Sequence, residues 1–316
     1  MARDLAAHGV EVVGSGRRAA AGASLEADGV RFVPAELGDA AAVAEAARGV
    51  GLVVHCGALA APWGPEAAFR RANVDGTWHV AAACRAEGAA LVHVSTPSVY
   101  ADGSARLGLT EASAWAARPA NAYARTKGEA ERVVQRFVAT GLRAVILRPR
   151  ALVGPGDTTL LPRLLRAAAR GAVPLVGGGR ALIDTTVVDN AADACRLAAR
   201  ALLDGRADPG RAYNVSDGAP RPFAELVARL GEALGRPLPT RVVPFGAALA
   251  AATALEAAAR LGIGGEPLLT RYGVGVLGRS VTLDSTRARR ELGWAPRVPL
   301  EDALAAWAAA QAEASP

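Results

Sequence analysis

Tyr123 and Lys127 stand four residues apart in the stretch Tyr123-Ala-Arg-Thr-Lys127. On a helix that spacing puts both on one face, with a rise of about 6 Å between them. Such a pair suits proton transfer. An ammonium beside a phenol favours phenolate and lowers the tyrosine pKa from its ordinary value of about 10. A lone Tyr-x-x-x-Lys is equally compatible with an ordinary surface helix, but composition favours a role. Among 36 basic residues Lys127 is the only lysine, and it follows one of only four tyrosines. Arginine is a planar fork that is always charged, whereas lysine is a compact, adaptable point charge. This position calls for the second kind.

A second candidate is Thr96, which follows the apolar run Ala90–Ser95. A hydroxyl there can donate to a carbonyl oxygen while Tyr123 moves the proton; equally, a strand-end threonine can simply cap a turn. Arg17 and Arg18 follow the short strand expected over Val10–Ser15. On a nucleotide-binding sheet that strand end faces the adenosine ribose, where an acidic residue suits a free 2′-hydroxyl and arginine a 2′-phosphate. No Asp or Glu occupies Gly14–Arg18, which favours NADP(H) over NAD(H). Asp39 reads as a helix N-cap, and Asp189-Asn190 as a cap or a pocket pair. His55 and His93 lie inside strands and read as core residues. The four histidines form no metal-binding pattern, so no metal site is expected.

These residues need elements to position them. Strands are expected at Val10–Ser15, Val30–Pro34, Gly51–Cys56, Ala90–Ser95 and Arg143–Leu147. Helices alternate with them, including one that carries Tyr123 and Lys127 to about Ala139. That alternation is the pattern of a parallel sheet with right-handed crossovers. Gly51–Cys56 is apolar enough to be covered on both faces. Ligands of such sheets sit beyond the carboxyl ends of the strands. Arg17, Glu36 with Leu37, Gly57 with Ala58, Thr96 and Pro149 all fall there. The fold class expected is α/β, a Rossmann-type doubly wound parallel sheet with a smaller, irregular α/β lobe. Residues 1–155 form the dinucleotide-binding half. Residues 156–316 are mainly the substrate lobe, with some segments returning to the sheet. The proline- and glycine-rich stretch 236–282 is the least regular.

The formal charge is +6 and the pI about 9.9, but the basic residues are scattered without interleaved aromatics, so no nucleic-acid partner is expected. Cys56, Cys84 and Cys195 make neither a disulfide framework nor a zinc spacing, which fits a reducing cytoplasm. Neither a leader nor a membrane span is read. The apolar run Phe245–Leu255 is too short to cross a bilayer and is expected in the core or along a pocket.

With these residues placed, the chain resembles the extended short-chain dehydrogenase/reductases. The marks are Tyr123-x-x-x-Lys127, Ser95-Thr-Pro-Ser-Val-Tyr100, Asn73-Val-x-Gly76-Thr77, and Arg148-Pro149 with Gly154-Pro-Gly-Asp157. Within that group it is most similar to the 3β-hydroxysteroid dehydrogenase-like branch, which includes 2-alkyl-3-oxoalkanoate reductases. Ala61-Pro-Trp-Gly-Pro65, Asp189-Asn-Ala-Ala-Asp-Ala194 and Tyr213-Asn-Val-Ser-Asp-Gly218 carry that likeness. The resemblance implies that Tyr123 is the general acid/base and that Lys127 lowers its pKa and holds the nicotinamide ribose. It places Thr96 in the catalytic Ser/Thr position and makes Asn73 the asparagine that supports the site. Gly57 and Ala58 match the loop that passes the cofactor, and dimerisation through the Tyr123 helix is common in such families.

One feature departs from the pattern. These families open with a strand and a Gly-x-x-Gly-x-x-Gly turn that holds the pyrophosphate. Gly14-Ser-Gly16 is no substitute, because it follows the second strand of the pattern. The first strand, the turn and part of a helix are expected to be absent, either through a start site set too far downstream or through a real truncation with a gap in the sheet centre. Three functions remain open. The first is an oxidoreductase moving a hydride between NADP(H) and a ketone or secondary alcohol on an apolar substrate of steroid or 3-oxoacyl type. The second is a nucleotide-sugar epimerase or dehydratase using NAD. The third is a degenerate binding protein without cofactor.

Overall fold

The computed structural model describes residues 1–263 and 265–313. Four parallel strands form its central sheet, in the order Ala212–Val215, Ala144–Pro149, Ala90–Val94, Leu52–His55. The two inner strands are almost wholly apolar because both faces are covered. Leu91 and Ile146 point to one face, where they meet Val80, Cys84 and Val134 from the helices Gly76–Glu87 and Ala122–Ala139. Val92 and Val145 point to the other and meet Ala194, Ala198 and Leu292 from the helices Val188–Leu203 and Thr286–Leu292. The strand period of two thus supplies both layers of a doubly wound fold. Each large aliphatic buried this way contributes roughly 1.5–3 kcal/mol.

Val13–Gly16 pairs in parallel with Arg31–Pro34, and the two form a sheet of their own. No strand among the described residues joins Val13–Gly16 to Leu52–His55. Leu52, Val53 and Val54 are consequently only half-buried, whereas Leu91 and Val92 on the next strand are fully buried. The strand is packed on both faces as expected, Val53 against one helix layer and Leu52 and Val54 against the other, and among the described residues it stands at the edge of the sheet.

The irregular lobe has a core of Leu161, Val173, Phe223, Leu226, Leu230 and Trp307. The stretch 236–282 holds a strand at Thr240–Val243, helices at Phe245–Arg260 and Arg271–Gly278, and a strand at Val281–Leu283. The apolar run at Phe245 packs one face into a small core, where Ala248 and Ala252 meet Val176 and Val274. Its helix buries only Ala248, Ala252 and Glu256, a single stripe at four-residue spacing, and leaves Leu249 and Leu255 exposed. No helix among the described residues is long and apolar enough to cross a membrane.

Candidate active site

The helix Ala122–Ala139 starts at Asn121, whose Oδ1 accepts the Ala124 N–H at 2.9 Å. That cap fixes where the first turn begins, and so where Tyr123 points. Tyr123, Lys127 and Glu131 follow at four-residue intervals, on the face turned toward the sheet. The half-buried Tyr123 lies near the Thr96 hydroxyl, which follows strand Ala90–Val94 at its carboxyl end and favours the Tyr123 phenolate. Two residues far apart in sequence thus meet where a carbonyl oxygen could sit between two hydroxyls.

Thr96 takes the capping role that its position suggested. Its Oγ1 accepts the Ser98 N–H at 3.1 Å, capping the short turn Pro97–Tyr100. It also donates to Ser98 Oγ at 3.1 Å, and Ser98 Oγ is hydrogen-bonded to Tyr272 Oη at 2.9 Å. Three hydroxyls, those of Thr96, Ser98 and Tyr272, therefore run in a row from the sheet to the lobe.

The expected lowering of the Tyr123 pKa is not found. Burial and the nearby Tyr272 phenol push it up to about 12, and the Thr96 hydroxyl draws it back only in part. The reason lies with Lys127. Its side chain is buried, and Nζ donates to the Val94 carbonyl at 2.7 Å, at the strand end. Burial lowers the Lys127 pKa to about 8, although the Glu131 carboxylate and Cys56 oppose that fall.

Glu131 also grips Arg148, donor to acceptor, at 2.9 Å from Nε and 2.6 Å from Nη2. Ser95 Oγ donates to the same carboxylate at 2.5 Å, and Arg148 Nη1 donates to Tyr100 Oη. This network ties the Tyr123 helix to the ends of two neighbouring strands. Asn73 is fully buried in the π-helical segment Arg70–Asp75. Its Oδ1 accepts the Leu59 N–H at 2.7 Å, and its Nδ2 donates to Leu59 O at 3.2 Å and Thr126 Oγ1 at 3.0 Å. Asn73 thereby pins the loop after Cys56 to the Tyr123 helix, a positioning role with no contact to Tyr123 or Lys127.

The residues expected near a cofactor are distributed along the strand ends. Gly57 and Ala58 begin the loop that Asn73 holds. A Cβ at Gly57 would come within 2.9 Å of Leu37 Cδ1, so the glycine lets the loop lie against the strand-end segment carrying Leu37. Leu37 is half-buried, and Glu36, Arg17 and Arg18 are exposed. Arg18 precedes the helix Ala19–Ala27, and neither arginine forms an ion pair among the described residues. Pro149 ends its strand opposite Val215.

This donor set fits the nicotinamide and ribose of a dinucleotide: two hydroxyls and an ammonium at one strand end. Among the described residues no glycine-rich turn stands between Val13–Gly16 and Leu52–His55 to hold a pyrophosphate.

Asp39 Oδ1 accepts the Ala41 and Ala42 N–H groups at 3.0 Å, as expected of a cap. Asp189 is exposed and caps nothing by its side chain. Asn190 is neither cap nor pocket residue: buried, it bonds Asp217 and the main chain of Arg297 and Val298. His55 and His93 are buried with ring centroids 5.2 Å apart. Among the described residues no three His, Cys, Asp or Glu side chains are placed to hold a metal ion. Sequence reasoning missed Glu131, Ser98, Tyr272 and Arg150. Glu131 alone carried a signal, as the next residue at the Tyr123-Lys127 spacing.

Residues 1–216 match the model of the NAD dependent epimerase/dehydratase family. The chain belongs to this family. It is 40% identical over 285 residues to a 2-alkyl-3-oxoalkanoate reductase of Stenotrophomonas maltophilia, covering 89% of this chain and 86% of that protein. It is 34% identical over 286 residues to 3beta-hydroxysteroid-dehydrogenase/decarboxylase isoform 2 of Arabidopsis thaliana, covering 87% of this chain and 51% of that protein. A solved structure of MoeE5 in complex with UDP-glucose and NAD superposes with a TM-score of 0.74 at 26% identity, over 98% of this chain and 93% of that one. This family member is an oxidoreductase that acts on a ketone or secondary alcohol with a nicotinamide cofactor.

Proposed function

We propose that the protein reduces a ketone on an apolar substrate of 3-oxoacyl or steroid type, or oxidises the matching secondary alcohol, with NADP(H) preferred to NAD(H). Residues 1–155 serve the cofactor and 156–316 mainly the substrate, in a cytoplasmic homodimer. The feature that carries the reading is the convergence of Thr96, Tyr123 and Lys127 at the carboxyl end of strand Ala90–Val94, where Lys127 Nζ donates to Val94 O at 2.7 Å and Thr96 caps the turn that follows. The substrate type is supported by the printed activities of the relatives, and the cofactor preference by Arg17 and Arg18 at their strand end.

A bound nicotinamide would supply the hydride; Tyr123 and Lys127 would hold its ribose, and Gly57, Ala58, Pro149, Leu37 and Glu36 are the strand-end residues that would hold the rest of the cofactor. Thr96 donates to the substrate oxygen and fixes it beside Tyr123. Negative charge grows on that oxygen as the carbonyl carbon is reduced, and the Tyr123 hydroxyl gives it the proton. A phenol with a pKa near 12 is fully protonated at neutral pH, the form that ketone reduction needs. Lys127 Nζ, donating to the Val94 carbonyl, fixes an ammonium at the same strand end. Asn73 keeps the loop and the helix in register.

Mixing the protein with NADPH and a 2-alkyl-3-oxoalkanoate, and following loss of the nicotinamide absorbance, tests the reading. Turnover with the ketone, and none with UDP-glucose and NAD, is the outcome expected. The reverse pattern would make it a nucleotide-sugar enzyme.

A further inference from the structure

Cys56 directly follows the strand Leu52–His55 and begins the loop 57–59. Leu52 and Val54 turn to the sheet face covered by the helix Val188–Leu203, and Cys195 of that helix lies in the same apolar cluster. The strand period of two carries Cys56 to that face as well. The two thiols accordingly lie side by side, and each is the strongest influence on the other's proton affinity. Both are free cysteines.

Their surroundings give them different chemistry. Cys56 is exposed, whereas Cys195 is only 6% exposed. The neighbouring Cys195, with help from the Lys127 ammonium, holds the Cys56 thiol below its ordinary pKa. Cys56 in turn, together with burial, pushes the Cys195 thiol well up. A thiol reacts as its thiolate and only where a reagent reaches it. Cys56 meets both conditions and Cys195 neither. Cys84 gives the contrast. It is buried in the opposite helix layer, and burial pushes its pKa up to about 12. An exposed, activated thiol backed by a second one is the arrangement that peroxide chemistry selects.

We propose that Cys56 is an oxidation site for hydroperoxides, that Cys195 resolves it to a disulfide within the chain, and that this bridge weakens dinucleotide binding. The Cys56 thiolate attacks a peroxide oxygen and breaks the O–O bond. Cys56 becomes a sulfenic acid, and the hydroxide released takes up the proton that Cys56 gave away. The Cys195 sulfur then displaces the sulfenic hydroxyl, which leaves as water with the Cys195 proton. Two thiols are oxidised to one disulfide while hydrogen peroxide is reduced to two waters.

The bridge needs the two β-carbons about 3.8 Å apart. The strand can yield to it, because among the described residues it stands at the edge of the sheet. The loop beyond Cys56 is not free to follow: Asn73 holds Leu59, and Gly57 lies against Leu37. Closing the disulfide therefore distorts Gly57 and Ala58, the segment assigned to the cofactor. The effect on the dinucleotide rests on the nicotinamide reading of this site; the oxidation does not.

In the test, the full chain is treated with hydrogen peroxide, unfolded, alkylated with iodoacetamide and mapped by mass spectrometry. Expected is alkylation of Cys84 alone, and of all three cysteines once dithiothreitol is added. Cys195→Ala should instead leave a sulfenic acid at Cys56 that dimedone traps, and Cys56→Ser should keep both remaining thiols. Should the buried Cys195→Ala variant fail to fold, the wild type and the exposed Cys56→Ser decide alone. Alkylation of all three cysteines in the treated wild type, a disulfide between two chains, or oxidation of Cys84 first would overturn the proposal. Titration with NADPH, followed by nicotinamide fluorescence, gives a second readout. The oxidised wild type should bind on the order of 10-fold more weakly than the reduced, an ordinary size for communication between two sites, with Cys56→Ser indifferent to peroxide. A bridged chain that binds NADPH as tightly as the reduced one would overturn the effect on the cofactor. If the reduced chain binds no NADPH, the nicotinamide reading fails, and the alkylation pattern still decides whether Cys56 and Cys195 form a peroxide-sensitive pair.

Discussion

Glu131 holds the Arg148 guanidinium through both carboxylate oxygens, at 2.9 and 2.6 Å, with both side chains almost fully buried. The pair joins the helix bearing Tyr123 and Lys127 to the strand that ends beside the site. Removing one charge strands the other in a dry interior. Glu131→Gln should therefore cost about 3–5 kcal/mol of stability, measured by urea unfolding. A loss below about 1 kcal/mol would mean that the pair is not buried in solution.

Lys127 gives a pH signature of its own. Its pKa is near 8 in the folded protein and 10.5 as a model group. Between those values the unfolded chain binds more protons than the folded one, so stability should rise as pH climbs from 8 to 10.5, by roughly 3 kcal/mol in all. Lys127→Met should flatten that slope and be more stable at neutral pH while losing turnover. Stability of the wild type that is flat or falling across the window would contradict the burial of a charged lysine.

His55 acts at the other end of the scale. Thr77 Oγ1 donates to Asn73 O at 2.6 Å, so the His55 Nε2–H must be the donor in its 3.1 Å bond to Thr77. Burial, with the Lys127 charge, lowers the His55 pKa from 6.5 to about 3 and so keeps the ring neutral, as the Nε2–H tautomer, at neutral pH. Below pH 6.5 the unfolded chain takes up a proton that the folded ring refuses, so stability falls as pH drops toward 3. The loss should reach roughly 2 kcal/mol by about pH 5. Thermal melts of wild type and His55→Gln across that range check it, the variant showing the shallower slope.

Asn73 joins Leu59 to Thr126 by three hydrogen bonds. Asn73→Ala should destabilise by about 1–3 kcal/mol and free the loop after Cys56. Faster amide exchange at Leu59, with a weakened affinity for NADP(H), is the expected pair of observations. Unchanged exchange would remove Asn73 from its positioning role.

Much of this was legible in the sequence because it depends on local spacing. Tyr123 and Lys127 share a helical face by arithmetic, Thr96 follows an apolar strand, and Asp39 precedes an alanine-rich helix. The alternation of strands and helices carried the fold class. What escaped depends on tertiary burial. In a chain with 36 basic residues nothing local separates Arg150, buried and unpaired, from Arg17, exposed to solvent. The Tyr123 pKa was misread for the same reason, since spacing shows that Lys127 is near but not that Nζ turns to Val94 O. The apolar composition of the Phe245–Arg260 helix pointed to the core, but not to the single stripe, Ala248, Ala252 and Glu256, that is buried there.

The two exposed arginines set the expected cofactor preference. Arg17→Glu combined with Arg18→Glu should reverse it, raising KM for NADPH by on the order of 10-fold or more and lowering that for NADH. Equal effects on both cofactors would place the 2′-phosphate elsewhere.

Tyr123→Phe removes one hydroxyl and keeps the ring. Measured as single-turnover reduction of a 2-alkyl-3-oxoalkanoate with saturating NADPH, the variant should be slower by about 10²–10⁴-fold with NADPH affinity little changed. A variant that reduces the ketone at near the wild-type rate would contradict the proton-transfer role of Tyr123.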